Sequence, residues 1–187
     1  GFLVSPAEIE EVVQQVPGVD GCQVVGATLE GRPRAIAFVT LEPGASLDEA
    51  GALYRSILQR NPRSEDSLVN LIAIDMARKD SERVRETAEQ LLAVRPDSTT
   101  ALEGLAAAAF ARGDHEAAAR FCARLVESAP EHFEAWFNLG VAHQKAGRFQ
   151  EAASAYQAAA TLRPDAPQVQ MNLGIVHQEL GDLPEAR

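Results

Sequence analysis

The chain has 187 residues, of which 46% are hydrophobic and 5% aromatic, and its formal net charge is −10. This length suits one extended repeat domain or two small globular domains. The acidic charge disfavours nucleic-acid binding, because that affinity comes mainly from Lys and Arg side chains that neutralise phosphates. No stretch approaches the roughly 18 continuous apolar residues of a membrane span. We therefore expect a cytoplasmic protein that contacts neither nucleic acid nor membrane.

The first 46 residues predict a small α-β-β unit. Ser5 and Pro6 are typical of a helix start, and the predicted helix over residues 6–15 ends before a Pro-Gly pair. Two β-rich runs follow, Cys22–Ala27 and Ala35–Leu41, joined by a turn that contains residues 30–33.

The opening string GFLVSPAEIE, with shorter matches further along, resembles the small C-terminal domain of adenylate-forming acyl-CoA and aryl-CoA ligases. By this resemblance, Gly1, Val4, Ser5 and Pro6 would help line the thiol-acceptor channel. Such ligases also need a large ATP-binding domain and a late lysine in a PxxxxGK-type motif. The 187 residues contain no match to that large domain, and residues 1–46 contain no lysine. We expect a structural unit without ligase activity.

From about Leu47 the sequence repeats with a period of 34 residues, which is the first feature to seek in a solenoid. Prolines and leucines mark this period at Pro62, Pro96, Pro130, Pro164, Leu71, Leu105, Leu139 and Leu173. Apolar residues within one period recur at helical spacing in two blocks. Each period therefore predicts two amphipathic helices packed antiparallel.

The clearest unit covers residues 133–164. Gly140 and Ala152 are small where the two helix axes approach each other, and Tyr156 fills the space beside them. Pro164 ends the second helix, because proline lacks the amide hydrogen that a helix interior needs.

This pattern resembles the tetratricopeptide repeat (TPR), over roughly Leu47 to Arg187. The resemblance implies a mainly α protein: a right-handed solenoid of helical hairpins that follows the α-β-β unit of residues 1–46. The implied units are a half repeat at 47–62, repeats at 65–96, 99–130 and 133–164, and a truncated repeat at 167–187. Repeat 65–96 is the most divergent: Ile72 and Val84 are larger than the pattern prefers and Lys79 replaces a turn glycine, so we expect looser or shifted packing there.

In TPR proteins, first-helix positions build the concave face, so the resemblance implies a peptide-binding groove. Asn70, Asn138 and Asn172 occupy one equivalent position in three units, and Gly104 breaks the series. Amide side chains donate and accept hydrogen bonds, so this ladder could hold an extended peptide backbone or could merely solvate the groove. The remaining predicted groove residues are apolar or acidic: Val69, Phe110, Phe137, Met171, Ile175, Glu103 and Glu134.

No pattern in the sequence is typical of catalysis or metal binding. Cys22 and Cys122 are isolated, so we expect both to be reduced and buried. His143 and His177 occupy equivalent repeat positions, which lie too far apart to share one ion. No nucleophile motif such as GxSxG occurs. The prediction is a non-enzyme without cofactor or metal.

The predicted function is a protein-protein interaction scaffold that binds a partner polypeptide in the groove. The apolar groove positions predict pockets for apolar side chains, and the acidic positions predict a rim that tolerates basic flanks. The alternative is a non-catalytic fragment of a larger adenylate-forming ligase whose repeats dock a substrate or carrier protein. Self-association through exposed ends of the array is a third possibility.

Overall fold

The computed structural model describes residues 19–29, 32–41 and 47–182. The chain divides into two compact units between Ser67 and Leu68. Several sequence-based expectations fall outside the described residues. These are the helix over residues 6–15, the four positions that resemble a ligase channel (Gly1, Val4, Ser5 and Pro6), and the domain boundary after Ser46.

Two antiparallel strands, β1 (Val19–Leu29) and β2 (Arg32–Leu41), coincide with the two predicted β-rich runs. Val24 pairs with Ala37 near the middle of the ladder. The predicted turn was too long, since Arg32 and Pro33 belong to β2 and pair with Leu29 and Thr28. Proline is tolerated there because each strand of a two-stranded sheet has one unpaired edge.

Eight helices occupy the described chain from residue 47 onward. They are α1 (Leu47–Arg60), α2 (Glu65–Ala77), α3 (Ser81–Val94), α4 (Thr99–Ala111), α5 (His115–Ser128), α6 (Phe133–Lys145), α7 (Phe149–Leu162) and α8 (Pro167–Asp182). From α3 to α8, the main contacts join helices that are consecutive in the chain. The even-numbered helices are the predicted first helices of the hairpins, and the four periodic prolines lie in the connections that follow odd-numbered helices.

The residues that cap the helix starts recur with the 34-residue period of the sequence. Asp80 and Asp114 cap α3 and α5, and Ser98 and His132 cap α4 and α6, each accepting a hydrogen bond from the amide three residues later. Such a cap stabilises a protein by about 1 kcal/mol. Arg148 precedes α7 at the position equivalent to Asp114 and makes no such side-chain bond.

The turn between α2 and α3 keeps the same backbone form as the later turns although it lacks glycine. Lys79 has φ 59°, close to the 73° of Gly113 and Gly147. A residue with a Cβ atom holds this left-handed conformation at a cost of roughly 1–2 kcal/mol. The turn of repeat 65–96 therefore keeps the backbone form of the later turns and is strained by the Lys79 side chain.

Packing around Ile72 and Val84 is close, so the looser of the two expected outcomes, looser or shifted packing, is not found there. Ile72 and Val84 are only 1% and 3% exposed. Gly104 of α4 lies against both, and a Cβ atom added there would be 3.2 Å from Ile72 Cγ2 and 3.4 Å from Val84 Cγ1. The missing side chain at Gly104 provides the room that the two larger residues need.

The core from α4 to α8 is rich in alanine, and these small residues pack against a few large side chains. Tyr156 of α7 is fully buried. A Cβ atom at Gly140 would lie 2.5 Å from the Tyr156 Cδ1 and Cε1 atoms, so only glycine fits opposite this ring. Cys122 is a free, buried thiol as predicted, and burial raises its pKa to about 12.

A candidate peptide-binding groove

The predicted groove residues lie on the four first helices. Val69 and Asn70 belong to α2, Glu103 and Phe110 to α4, Glu134, Phe137 and Asn138 to α6, and Met171, Asn172 and Ile175 to α8. Val69, Asn70, Asn138, Met171 and Ile175 are exposed to solvent. Met171 and Ile175 are the most prominent apolar positions, with 62% and 42% of their surface exposed.

The two predicted groove phenylalanines serve the core as well as the surface. Phe137 is half-buried, and its ring centroid lies 5.8 Å from that of Tyr156 and 6.2 Å from that of Phe133. Phe110 is also half-buried and packs on the cluster around α5, with its ring centroid 6.3 Å from that of His115. Removing either ring would disturb packing in addition to any contact with a partner.

One acidic groove residue is already hydrogen-bonded within the chain. His132 Nδ1 accepts the Ala135 amide hydrogen at 3.2 Å, so Nε2 of the neutral ring carries the proton. That nitrogen donates to Glu103 Oε1 at 2.8 Å. Glu103 thus joins α4 to the start of α6.

The second acidic groove residue is ion-paired. Glu134 Oε1 lies 2.9 Å from Arg163 Nη2, and the Arg163 guanidinium stacks 4.2 Å from the Phe133 ring centroid. A hydrogen bond from its own backbone amide and the nearby Arg163 charge hold the pKa of Glu134 below its usual value. Glu103 and Glu134 therefore both have partners before any ligand arrives.

A cleft of about 480 Å³ lies between α6, the start of α7, and α8. This volume is within the roughly 300–1,000 Å³ typical of ligand sites. Its lining residues are Val141, Gln144, Lys145, Phe149, Asn172, Ile175 and Glu179. The sequence-based list of groove residues included Asn172 and Ile175. It missed Phe149, because that residue begins a second helix and only first-helix positions were considered.

A hydrogen-bonded network connects the cleft to the core. The Tyr156 hydroxyl donates to Gln144 Oε1 at 2.7 Å, and the Asn172 side chain hydrogen-bonds to the same hydroxyl. Burial raises the pKa of Tyr156 to about 12, while the bond from Asn172 opposes that shift. Asn172 is therefore oriented by the protein itself.

The predicted asparagine ladder has a different environment at each step. Asn138 is exposed, Asn172 is half-buried and bonded to Tyr156, and Asn70 has a partner within the chain. Gly104, at the equivalent position in α4, is buried against Ile72. The ladder is interrupted in α4 because residue 104 packs against the core, which leaves little room for a side chain.

Family comparisons agree with the helical hairpins. Models described as tetratricopeptide repeat match residues 76–132, 105–172 and 167–187. This chain carries tetratricopeptide repeats. No curated protein matches this chain.

Several solved structures of MamA have a similar fold. One titled "Crystal structure of MamA" superposes with a TM-score of 0.70 at 20% identity, covering 72% of the TPR chain and 79% of its own. A MamA fragment from Desulfovibrio magneticus RS-1 has a TM-score of 0.68 at 20% identity, covering 74% and 78%. A MamA AMB-1 structure has a TM-score of 0.66 at 24% identity, covering 72% and 74%. At these identities the similarity establishes the fold.

Among the described residues, no group of three His, Cys, Asp or Glu side chains is arranged to hold a metal ion. None of the described helices combines the length and apolar character required to cross a bilayer.

Proposed function

We propose that the TPR chain is a non-catalytic interaction scaffold that binds a partner polypeptide along its first helices. The main support for this proposal is the cleft beside α8, where exposed Ile175 borders the oriented amide of Asn172. Exposed apolar side chains grouped with fixed polar groups are typical of binding sites. A polypeptide can supply both an apolar side chain and a backbone amide to such a cleft.

The net charge of −10 supports a protein partner over nucleic acid. The proposed units are a half repeat ending with α1, three full repeats formed by α2 to α7, and a further repeat that begins with α8. Helix bounds support these units, since each proposed full repeat contains one pair of helices.

Peptide display tests this function directly. The full chain is immobilised and used to enrich random dodecapeptides displayed on phage, and enriched peptides are then synthesised for fluorescence anisotropy. Ile175→Ser combined with Asn138→Ala should weaken binding at least about tenfold, because it removes an apolar contact and an exposed amide. Phe137 is avoided because its ring packs on Tyr156.

Leu162→Ser is the matched control. Leu162 is 37% exposed, similar to Ile175, but it lies on α7 outside the cleft. It should leave peptide affinity unchanged. Failure to enrich any peptide above an uncoated surface, or equal losses in both variants, would contradict the groove as the functional site.

The ligase-fragment alternative is supported by the sequence of residues 1–46 and by strands at both predicted positions. On this alternative, the native polypeptide contains an ATP-binding domain on the N-terminal side of Gly1. Mass spectrometry of the native protein would detect peptides from that domain. A native polypeptide without one would rule the alternative out.

A further inference from the structure

We propose that Lys145 and Glu179 determine which partner the cleft accepts. They would select a polypeptide segment in which an apolar side chain lies between an acidic residue, which faces α6, and a basic residue, which faces α8. This inference rests on the proposed function and specifies the chemistry of its partner.

The repeat period explains how the two charges come to face one cleft. Lys145 and Glu179 occupy equivalent positions one 34-residue period apart, in the last turn of α6 and in α8. Val141 and Ile175 are equivalent in the same way, and all four residues line the cleft. A pair of apolar residues is thus accompanied by a pair of opposite charges.

Apolar contact in the cleft comes from both helices of a hairpin. Val141 and Ile175 are supplied by first helices, and Phe149 adds an aromatic side chain at the start of α7. Three apolar side chains around one opening provide a site for one apolar partner side chain. The two charged residues line the same opening, so residues that flank the bound side chain would meet them.

Lys145 and Glu179 differ from the acidic residues that the sequence suggested for partner selection. Glu103 is bonded to His132 and Glu134 to Arg163. Lys145 and Glu179 are both exposed, and neither makes an ion pair or a side-chain hydrogen bond with any residue in the described part of the chain. Their charges are available to a ligand, whereas Glu103 is held in a hydrogen bond with His132 and the charge of Glu134 is paired with that of Arg163.

Charged residues at a binding site contribute more to the choice of partner than to affinity. An exposed ion pair contributes about 0.2–1 kcal/mol, while a like-charge contact opposes binding. Reversing both charges changes two favourable contacts into two unfavourable ones. The expected loss for a matched peptide is about tenfold in affinity.

A charge-swap experiment on the full chain tests the inference. Random dodecapeptides displayed on phage are enriched separately on the unchanged chain and on the double variant Lys145→Glu, Glu179→Lys. The unchanged chain should enrich an acidic and a basic residue on opposite sides of an apolar residue in a preferred order. The variant should enrich the reverse order, and charge-reversed synthetic peptides should recover the affinity that it loses.

The control swap is Arg120→Glu with Glu127→Arg on α5, which also preserves net charge. Both residues are exposed and lie outside the cleft. This control should leave the enriched motif unchanged. Circular dichroism of each variant checks that the helices are intact.

Each contrary result has a distinct meaning. Enriched peptides that lose affinity with Ile175→Ser but show no charge pattern, or the same pattern after the swap, would overturn this inference and leave the proposed function standing. Full affinity in both Lys145→Ala and Glu179→Ala would also overturn it, because neither charge would then contribute to peptide binding. Absence of any enriched peptide would reject the proposed function as well.

Discussion

Gly140 and Gly174 are equivalent residues in different surroundings. An added Cβ atom at Gly140 would lie 2.5 Å from the buried Tyr156 ring, whereas one added at Gly174 would have, apart from its own helix backbone and chain neighbours, no atom of the described residues within 4 Å. Gly140→Ala should therefore lower the free energy of unfolding by about 1–3 kcal/mol, the usual cost of overpacking. Urea denaturation measures this change.

Gly174→Ala serves as the matched control for that substitution. It should raise the free energy of unfolding by roughly 0.5–1 kcal/mol, because alanine loses less conformational entropy than glycine in a helix. Equal effects at the two positions would show that the Tyr156 ring moves aside easily.

His143 should make stability depend on pH. Burial, and then the nearby Arg148 charge, hold the pKa of this histidine below its usual value, although Glu151 and Glu116 act in the opposite direction. Its buried Nδ1 atom has no hydrogen-bond partner among the described groups. The folded state therefore favours the neutral ring, and the unfolded chain takes up a proton first as the pH falls.

The contribution of neutral His143 is present above the unfolded-state pKa of about 6.5 and is lost as pH falls toward the lower folded-state pKa. Between about pH 7.5 and 5.5, the unchanged chain should lose more unfolding free energy than His143→Phe, which cannot titrate. Urea denaturation at both pH values gives the comparison. Parallel losses in the two proteins would exclude His143 as the source.

At the scale of helices, the packing of α4 against α2 and α3 explains why the asparagine series is interrupted. Gly104→Asn would restore the series but place a polar side chain against Ile72 and Val84. We expect it to lower the free energy of unfolding by about 1–3 kcal/mol. Thermal and urea denaturation would both detect this loss.

A double-mutant cycle with Ile72→Ala separates crowding from other causes. Removing the Ile72 side chain makes room beside residue 104, so Gly104→Asn should cost less in that background, with a coupling of about 0.5–3 kcal/mol. If the two losses of unfolding free energy were additive, contact with Ile72 would not be what restricts the side chain at residue 104.

Helix boundaries were largely predictable because their signals are local. Prolines at a constant period and helical spacing of apolar residues predicted two helices in each period, and the structure contains eight helices from residue 47 onward in the described chain. Cys122 is buried as expected. Looser packing, one of the two outcomes expected for repeat 65–96, is not found at Ile72 and Val84, because the size of these residues was judged without their neighbours in other helices. The compensating Gly104 lies in another helix, and only packing shows that it is their neighbour.

At the scale of the whole molecule, consecutive helices make the main contacts from α3 to α8. Solenoids with such contacts behave almost as one-dimensional arrays, so a local change loosens near repeats first. In Gly140→Ala, amide hydrogen exchange should increase more in α6, α7 and α8 than in α3. Mass spectrometry of peptic fragments can compare these segments, and a uniform increase would instead indicate one cooperative unit.

The groove could be predicted from sequence only as a set of positions. First-helix spacing predicted Met171 and Ile175 as groove positions, because a helix presents residues at a regular angle, and both side chains are exposed. It could not show that Phe137 packs on Tyr156 or that His132 reaches Glu103 across 29 residues. Those contacts depend on how separate helices and their side chains meet.

The sequence by itself determined the repeat period, the helical hairpins and the acidic charge, because these follow from spacing and composition along the chain. Tertiary structure decided which charges are compensated and which side chains share the cleft. Glu134 meets Arg163, while Lys145 and Glu179 line one opening together with Phe149. Such groupings arise only when helices distant in sequence pack at particular distances and angles, which local periodicity does not specify.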